Sequence, residues 1–268
     1  MRSAFITERT IWPSLTTPRR RLVPFGRRLP IDNYLWRLYY HLFGEPSYRS
    51  QLFWVYLIRL VSVDSAARWL DVGCGGGDFL VELAKTCPNA SFTGIDPNPV
   101  AIAQAQELSR MANTRNVTWV QTVLDDLDIH DFDVVSALGV MEFTADPPAT
   151  VQQLAEHARD GGRIVFTAPN RRRTGRNGSL SSIHRFDSTE LGLWMKRASI
   201  PTPEILEAVK GLSFRAYSVS QNLQRLPFAA AAFHVISAPL VFVDAKFPGS
   251  GELLFCAGSV RRRVSLDL

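Results

Sequence analysis

The sequence predicts an α/β protein built around a doubly wound parallel sheet, and three observations lead to that prediction. Short apolar runs alternate with helical stretches from residue 66 onward, which is typical of parallel strands covered by helices on both faces. A glycine-rich turn over residues 73–77 follows the first apolar run. The composition, 46% hydrophobic and 21% charged, supports a buried core, and the length of 268 residues suits one large domain or two small ones.

The elements are predicted in chain order. Residues 1–32 are rich in Pro and Arg and predict a basic extended arm, and residues 33–65 predict an aromatic-rich helical cap with helices over 33–43 and 48–62. A core over residues 66–220 follows, with strands at Arg68–Val72, Ser91–Ile95, Val117–Val123, Phe132–Leu138 and Arg163–Ala168, and helices at 77–86, 99–113 and 149–159. Further helices are predicted at 188–198 and 202–210, further strands at Phe214–Ser220 and Glu252–Ser259, an apolar insertion at 221–250 and a closing strand within 251–260. Residues 33–268 are thus interpreted as a single domain.

The net charge of +5 is concentrated in three segments. Residues 1–30 carry +6, residues 171–176 carry +4 and residues 261–268 carry +2, so the remainder of the chain carries −7. Basic edges on an acidic body suit an anionic surface, either lipid headgroups or nucleic acid, although solubility or a targeting arm would explain them equally well. Three cysteines without a C-x-x-C pair argue against a disulfide scaffold or a zinc site. With no apolar signal region at the N-terminus, we expect a cytoplasmic protein.

The insertion contains an uncharged stretch of 18 residues, Leu226–Val243. A helix that spans a membrane needs about 20 apolar residues, and Pro227, His234 and Pro239 interrupt this stretch. A buried lid or a hairpin that dips into a membrane surface is therefore favoured over a span.

The strongest motif is WLDVGCGGGDF, residues 69–79, in which a strand runs into Gly73, Gly75 and Gly77. Such glycines let the backbone turn tightly and approach a ligand. The spacing is G-x-G-x-G and not the G-x-G-x-x-G of dinucleotide-binding proteins, which argues against a nicotinamide dehydrogenase. Asp71, inside the apolar strand, needs a partner, and a cationic ligand would supply one.

A second motif, GIDPNP, places Asp96 at the end of the second predicted strand. A carboxylate there can accept hydrogen bonds from both hydroxyls of a ribose. The alternative is that Asp96 caps the helix that begins near Pro97.

The chain resembles the class I S-adenosylmethionine-dependent methyltransferases, and within them the branch that modifies quinones, lipids and other small molecules. The resemblance covers about residues 66–220 and the closing strand. LDVGCGGGDF is similar to the first motif of that superfamily and GIDPNP to the second. The other matching segments are FDVVSALGVMEF, DGGRIVFTAPN and IHRFDSTEL.

The resemblance implies a Rossmann-like sheet of seven strands in the order 3-2-1-4-5-7-6, with the last strand antiparallel, and S-adenosylmethionine as cofactor. The methionine part would lie over Gly73–Gly77, including Cys74, near Asp71. Asp96 would bind the ribose, and Ile95 and Pro97 would flank the adenosine. The acidic residue usual after the third strand is absent, so Asp125 or the backbone near Val123 and Leu124 would meet the adenine. Leu138 in the fourth-strand motif completes the implied cofactor contacts.

Relatives that bind a divalent metal have a histidine where this chain has Phe143, after Glu142. The ligand set would be incomplete, so we expect no metal, with Glu142 a structural residue that lines the site.

Methyl transfer mostly requires that the reactants be positioned in a pocket poor in water, and a hydroxyl acceptor also needs a base. His184, in the loop after the fifth predicted strand, is the first candidate and His234 the second. A structural hydrogen-bonding role for His184 stays open. The aromatic cap and insertion indicate an apolar acceptor such as a quinone precursor, a phenol or a lipid, to be methylated on oxygen or carbon.

Two rival functions remain. An RNA or protein methyltransferase would use the basic segments, including Arg171, Arg172, Arg173 and Arg176, but the chain has no N-P-P-[YF] motif and no appended RNA-binding module. A binding subunit without turnover is the other. We therefore expect a small-molecule acceptor and a peripheral contact with an anionic membrane, and argue against nucleic acid. The sequence predicts no oligomeric state.

Overall fold

The computed structural model describes residues 53, 55–57, 59–61, 67–172, 184–213, 215–216, 219, 233, 240, 244 and 250–262. The predicted basic arm, most of the predicted cap and most of the apolar insertion, with His234, lie outside these residues, as do Arg173 and Arg176. No helix within the described residues is long and apolar enough to cross a membrane.

The described chain folds as a seven-stranded sheet with helices on both faces. The strands are β1 Arg68–Val72, β2 Ser91–Ile95, β3 Val117–Val120, β4 Phe132–Ala137, β5 Ala158–Pro169, β6 Glu204–Ala208 and β7 Leu253–Ser259. The helices are α1 Asp78–Thr86, α2 Pro99–Ala112, α3 Pro147–His157 and α4 Ser188–Arg197, with short 3-10 turns at Leu124–Asp126 and Met141–Phe143.

The strand order is β3-β2-β1-β4-β5-β7-β6, as the resemblance implied. The first five strands pair in parallel, and β7 runs antiparallel to both β5 and β6. The carboxyl ends of the parallel strands therefore share one edge of the sheet, where the glycine turn after β1 and the aspartate after β2 lie side by side.

Two predicted elements near the end of the core were wrong. Residues 202–210, predicted as a helix, contain strand β6, and the described residues of the predicted strand Phe214–Ser220 are helical instead. The sequence EILEA of β6 consists of residues that also suit a helix. Its strand conformation comes from pairing with β7, in which Glu204 lies opposite Ala257, so a distant segment overrides the local preference. The predicted ends of β3 and β4 were also too late, by three residues for β3 and by one residue for β4.

Two hydrophobic cores cover the two faces of the sheet, and the alternation of β1 serves both. Trp69 belongs to the first core and Leu70 to the second, and neither is exposed. Helical positions before β1 pack on the first core, where the ring of Tyr56 stacks on Phe255 with 4.8 Å between centroids. These positions agree with the helix predicted over 48–62.

Candidate cofactor site

The turn between β1 and α1 is shaped by three glycines in the left-handed region. Gly73, Gly75 and Gly77 have φ values of 67°, 55° and 81°, which residues with a Cβ rarely adopt. A Cβ on Gly73 would lie 2.5 Å from Cγ2 of Val140, so this glycine is also required by a close approach. In contrast, no atom of the described chain lies within 4 Å of where a Cβ on Gly75 would point. The turn therefore presents an open backbone surface at Gly75.

Asp96 ties this turn to the end of β2. Its Oδ2 accepts a hydrogen bond from the amide of Gly75 at 3.0 Å, and its Oδ1 accepts one from the amide of Asn98 at 2.9 Å. The helix-cap alternative for Asp96 is wrong, because the side chain of Asn98 caps α2 by accepting from the amide of Val100. The half-exposed Asp96 is thus oriented beside the open face of Gly75.

Asp71 lies beneath the turn at 4% exposure. Its partner within the chain is the hydroxyl of Ser136, which donates to Oδ1 at 2.5 Å. The indole N–H of Trp69 donates to the same hydroxyl at 2.7 Å. Burial, offset in part by the Ser136 hydrogen bond and reinforced by the charge of Asp96, raises the pKa of Asp71 from 3.8 to about 7. Asp71 is therefore a buried carboxyl whose charge is stabilised when a cation arrives.

Cys74 occupies the turn between these two carboxyls. Burial and the charges of Asp71 and Asp96 raise the pKa of its thiol far above the usual range. Its amide donates to the carbonyl of Ile95 at 3.0 Å. Cys74 therefore contributes to the turn through its backbone, and the raised pKa of its thiol disfavours the reactive thiolate form.

The segment after β3 reaches the same edge, because the amide of Asp96 donates to the carbonyl of Val120 at 3.3 Å. Of the three residues predicted to meet the adenine, Val123 is 43% exposed and Leu124 is buried. The carboxylate of Asp125 accepts a hydrogen bond from the side-chain amide of Gln153 on α3. This engagement with α3 makes Asp125 the weakest of the three adenine candidates.

The segment after β4 closes the turn from the opposite side. The half-buried Leu138 begins it, and the amide of Gly139 donates to the hydroxyl of Thr167 on β5 at 2.8 Å. Val140 then packs against Gly73. Sequence reasoning did not assign Ser136, Thr167 or Val140 to the site. Ser136 and Thr167 could have been found from the sequence, because each is a small polar residue near the carboxyl end of an apolar strand.

His184 lies at the same edge. Its backbone amide donates to the carbonyl of Glu142 at 3.4 Å, and its side chain is exposed. The side chain of Glu142 is buried at 8% exposure. The described residues hold no group of three His, Cys, Asp or Glu side chains in position to bind a metal.

Residues 70–164 match the family model described as a methyltransferase domain. Together with the strand order and the glycine turn, this match shows that the central part of the chain is similar to a methyltransferase domain that uses S-adenosylmethionine. Among curated proteins, it is 34% identical over 122 residues to the ubiquinone biosynthesis O-methyltransferase of Nitrosospira multiformis, covering 42% of this chain and 50% of that one. The chain thus spans about half the length of this curated relative.

Two solved structures show the same fold. Phosphoethanolamine N-methyltransferase 2 of Haemonchus contortus, in complex with phosphomonomethylethanolamine and S-adenosylhomocysteine, superposes with a TM-score of 0.61 at 14% identity, over 85% of this chain and 57% of that one. A methyltransferase of Geobacter sulfurreducens, in complex with S-adenosylhomocysteine, gives a TM-score of 0.51 at 20% identity, over 82% and 93% of the two chains. At these identities the likeness concerns the fold alone.

The residues at this edge fit S-adenosylmethionine. The open face of Gly75 leaves room for a ligand against the backbone, and each oxygen of Asp96 has a further lone pair for a ribose hydroxyl. The buried Asp71 suits the ammonium group of the methionine part, because a cation would compensate its charge.

Proposed function

We propose that this chain transfers the methyl group of S-adenosylmethionine to a small acceptor with an aromatic or lipid-like hydroxyl. One observation carries the proposal: the amide of Gly75 is fixed on Asp96 at 3.0 Å while the other side of that glycine is open. This arrangement offers a ribose-binding carboxylate and a bare backbone surface at the same place. S-adenosylmethionine, when bound, supplies a methyl group on a sulfonium, already activated for displacement.

In this proposal the protein mainly binds and orients the reactants. Asp96 binds the ribose hydroxyls, and Asp71 in its ionised form binds the ammonium. Val140 packs against Gly73 from the side of β4 and excludes water from that side of the site. These roles need no residue to form a covalent bond.

His184 is the base that we assign to the acceptor hydroxyl. It is exposed at the carboxyl edge of the sheet, and its backbone is held on Glu142. An imidazole can take a proton near neutral pH, so His184 would receive the hydroxyl proton as the oxygen attacks. His234, the second candidate base, lies outside the described residues.

An apolar acceptor is supported by the surface next to this histidine. Phe143 follows Glu142 and is 73% exposed, so its ring offers apolar contact area next to the backbone contact between Glu142 and His184. The similarity to a ubiquinone biosynthesis O-methyltransferase supports an aromatic hydroxyl. An anionic membrane as the place where the acceptor is collected stays a prediction, since the insertion lies outside the described residues.

The nucleic-acid alternative has less support. The side chain of Arg171 pairs with Glu190 at 2.8 Å, and that of Arg172 pairs with Asp187 at 3.5 Å. Both acidic partners belong to the segment that caps α4, so these two arginines form ion pairs at the start of that helix.

The first experiment is a calorimetric titration with S-adenosylmethionine and with NADH, on the native protein and on Asp96→Ala. We expect micromolar binding of S-adenosylmethionine, at least about tenfold weaker in the variant because it loses both the ribose acceptor and the anchor of Gly75. Tighter binding of NADH, or the absence of S-adenosylmethionine binding by the folded protein, would contradict the proposal.

A second experiment separates an enzyme from a binding subunit. Methyl transfer is measured with a panel of phenols, quinols and lipid extracts, comparing His184→Ala with His130→Ala, an exposed histidine before β4. We expect kcat to fall about a hundredfold in the first variant, with the loss relieved at high pH, and to be unchanged in the second. Equal kcat values would remove His184 from the mechanism.

A further inference from the structure

A cavity lies at the end of the sheet opposite the candidate cofactor site, where the parallel strands begin. It has a volume of about 510 Å³, which lies in the range of small-molecule sites. Its wall comes from the amino ends of β4, β5 and β6, the end of β7 and the segments on either side of residues 62–66. The lining residues are Arg59, Leu60, Ala67, Asp133, Val134, Arg159, Gly161, Arg163, Glu204 and Ser259.

The lining carries three guanidinium groups and two carboxylates. Arg159 pairs with Asp133 at 2.6 Å, and Arg163 pairs with Glu204 at 2.6 Å. Arg163 also donates from Nε to the carbonyl of Leu60. These contacts hold both side chains in fixed orientations, so neither must be ordered when a ligand binds.

The two arginines retain donors beyond those contacts. Arg159 uses Nε toward Asp133 and Nη1 toward the carbonyl of Asp160, and Arg163 uses Nε and Nη2. A guanidinium carries five N–H groups. Among the described residues, Nη2 of Arg159 and Nη1 of Arg163 therefore have donors to offer to a ligand in the cavity.

We propose that this cavity, termed the arginine cavity, binds a small phosphorylated molecule, with its phosphate on Arg159 and Arg163. Planar guanidinium groups match the oxygens of a phosphate better than an ammonium does, and a doubly charged phosphate gains most from several donors. Leu60, Ala67 and Val134 also line the cavity but are almost fully buried, so the polar groups of the lining make the contacts with the ligand.

The arginine cavity is separate from the cofactor site. β1 alone, from Arg68 to Val72, spans about 13 Å between the two edges of the sheet. The cavity shares no residue with the glycine turn or with the segments after β2 and β4. The inference goes beyond methyl transfer and does not depend on it.

The test is a calorimetric titration of the full chain with inorganic phosphate and with phenyl phosphate, in about 0.15 M salt to screen unspecific attraction. We expect saturable binding of one equivalent of either compound, because the phosphate group makes the contacts with the two guanidinium groups. Arg159→Gln and Arg163→Gln should each weaken binding about tenfold. Arg163→Lys, which keeps the charge and loses the planar fork, should weaken it as well.

Arg171→Gln is the matched control, since it removes an exposed, ion-paired arginine elsewhere, and it should bind phosphate like the native protein. S-adenosylmethionine is titrated into the same samples. Loss of its binding in a variant alone would indicate a folding defect, and absence of its binding by the native protein would contradict the methyltransferase assignment. Absence of saturable phosphate binding by the native protein would overturn the proposal. So would equal affinities in Arg159→Gln, Arg163→Lys and the control.

Discussion

The hydroxyl of Ser136 donates a hydrogen bond of 2.5 Å to Asp71, and both side chains are buried between β1 and β4. The register places these two residues opposite each other. This hydrogen bond is the polar support that the fold gives to a carboxyl otherwise raised in pKa by burial. The first two predictions follow from it.

Ser136→Ala should raise the pKa of Asp71 above its value of about 7, because the hydrogen bond that stabilises the charged form is lost. Binding of S-adenosylmethionine requires the ionised form in our proposal, so affinity increases as the pH rises through this pKa. In the variant, we expect the midpoint of that increase to move to higher pH and the affinity at neutral pH to fall about tenfold. Calorimetry from about pH 6 to about pH 9 measures both. Ser213→Ala, at another buried serine, is the control. An unmoved midpoint in Ser136→Ala would contradict the effect of this hydrogen bond on the pKa of Asp71.

Asp71→Asn should stabilise the ligand-free protein at alkaline pH while weakening cofactor binding. The pKa of Asp71 is 3.8 when unfolded and about 7 when folded, so the folded state binds the proton more tightly. The native protein therefore loses stability as the pH rises between these two values, whereas the variant lacks that loss. Thermal unfolding should give the variant a Tm higher by roughly 3 °C or more at about pH 8, and a smaller difference at about pH 4.5. A lower Tm in the variant at both pH values would refute this, and Asp96→Asn, which weakens two backbone hydrogen bonds, should have a lower Tm.

Gly73→Ala should disrupt the cofactor site more than its backbone strain explains. Its Cβ would lie 2.5 Å from Val140, at a φ of 67°. Gly161→Ala has a similar φ of 73°, but there the nearest atom lies at 3.6 Å. We expect Gly161→Ala to lose about 1 kcal/mol of stability and to keep its affinity for S-adenosylmethionine.

Gly73→Ala should lose a further 1–3 kcal/mol or so from overpacking and bind the cofactor at least about tenfold more weakly. The double variant Gly73→Ala with Val140→Ala should recover part of both. Urea unfolding and calorimetry report the two quantities, and no recovery in the double variant would mean that Val140 is not the obstacle.

Asp244→Asn should destabilise the protein by about 2–4 kcal/mol. Asp244 is fully buried and accepts hydrogen bonds from the hydroxyl of Tyr56 at 2.6 Å and from the amides of Val209 and Lys210 at 2.8 Å. An asparagine offers one acceptor oxygen, so its amide group would face a donor. Urea unfolding measures the loss, with the exposed Asp128→Asn as the control. Equal stability in the two variants would show that this aspartate does not join the segments before β1 and after β6.

The centre of the sheet was predictable because β1 and β2 are short, mainly apolar segments that end directly before Gly73 and Asp96. The bounds of β1 and β2 agree with the structure to the residue. β6 was not predictable in this way, since its conformation is set by β7, which lies more than 40 residues further along the chain. Local preference carries no information about a partner at that distance.

In the candidate site too, some features follow from the local sequence and others depend on contacts between distant segments. The need of Asp71 for a partner followed from its place in an apolar strand, and the nearness of Asp96 to the glycine turn followed from parallel pairing of consecutive strands. That the partner is Ser136 depends on the register between β1 and β4, and the contact of Val140 with Gly73 depends on how the chain turns after β4. Roles in binding and catalysis for these residues stay predictions.

The three cysteines of the chain share one property with a practical use. Burial raises the pKa of Cys74, Cys87 and Cys256. Near neutral pH this shift favours the thiol form of all three, whereas the thiolate is the form that reacts with maleimides and peroxides. A cysteine introduced at an exposed rim position, such as Phe143→Cys, would then be labelled selectively in the otherwise native protein. A fluorophore attached there would report ligand entry without the removal of any natural cysteine.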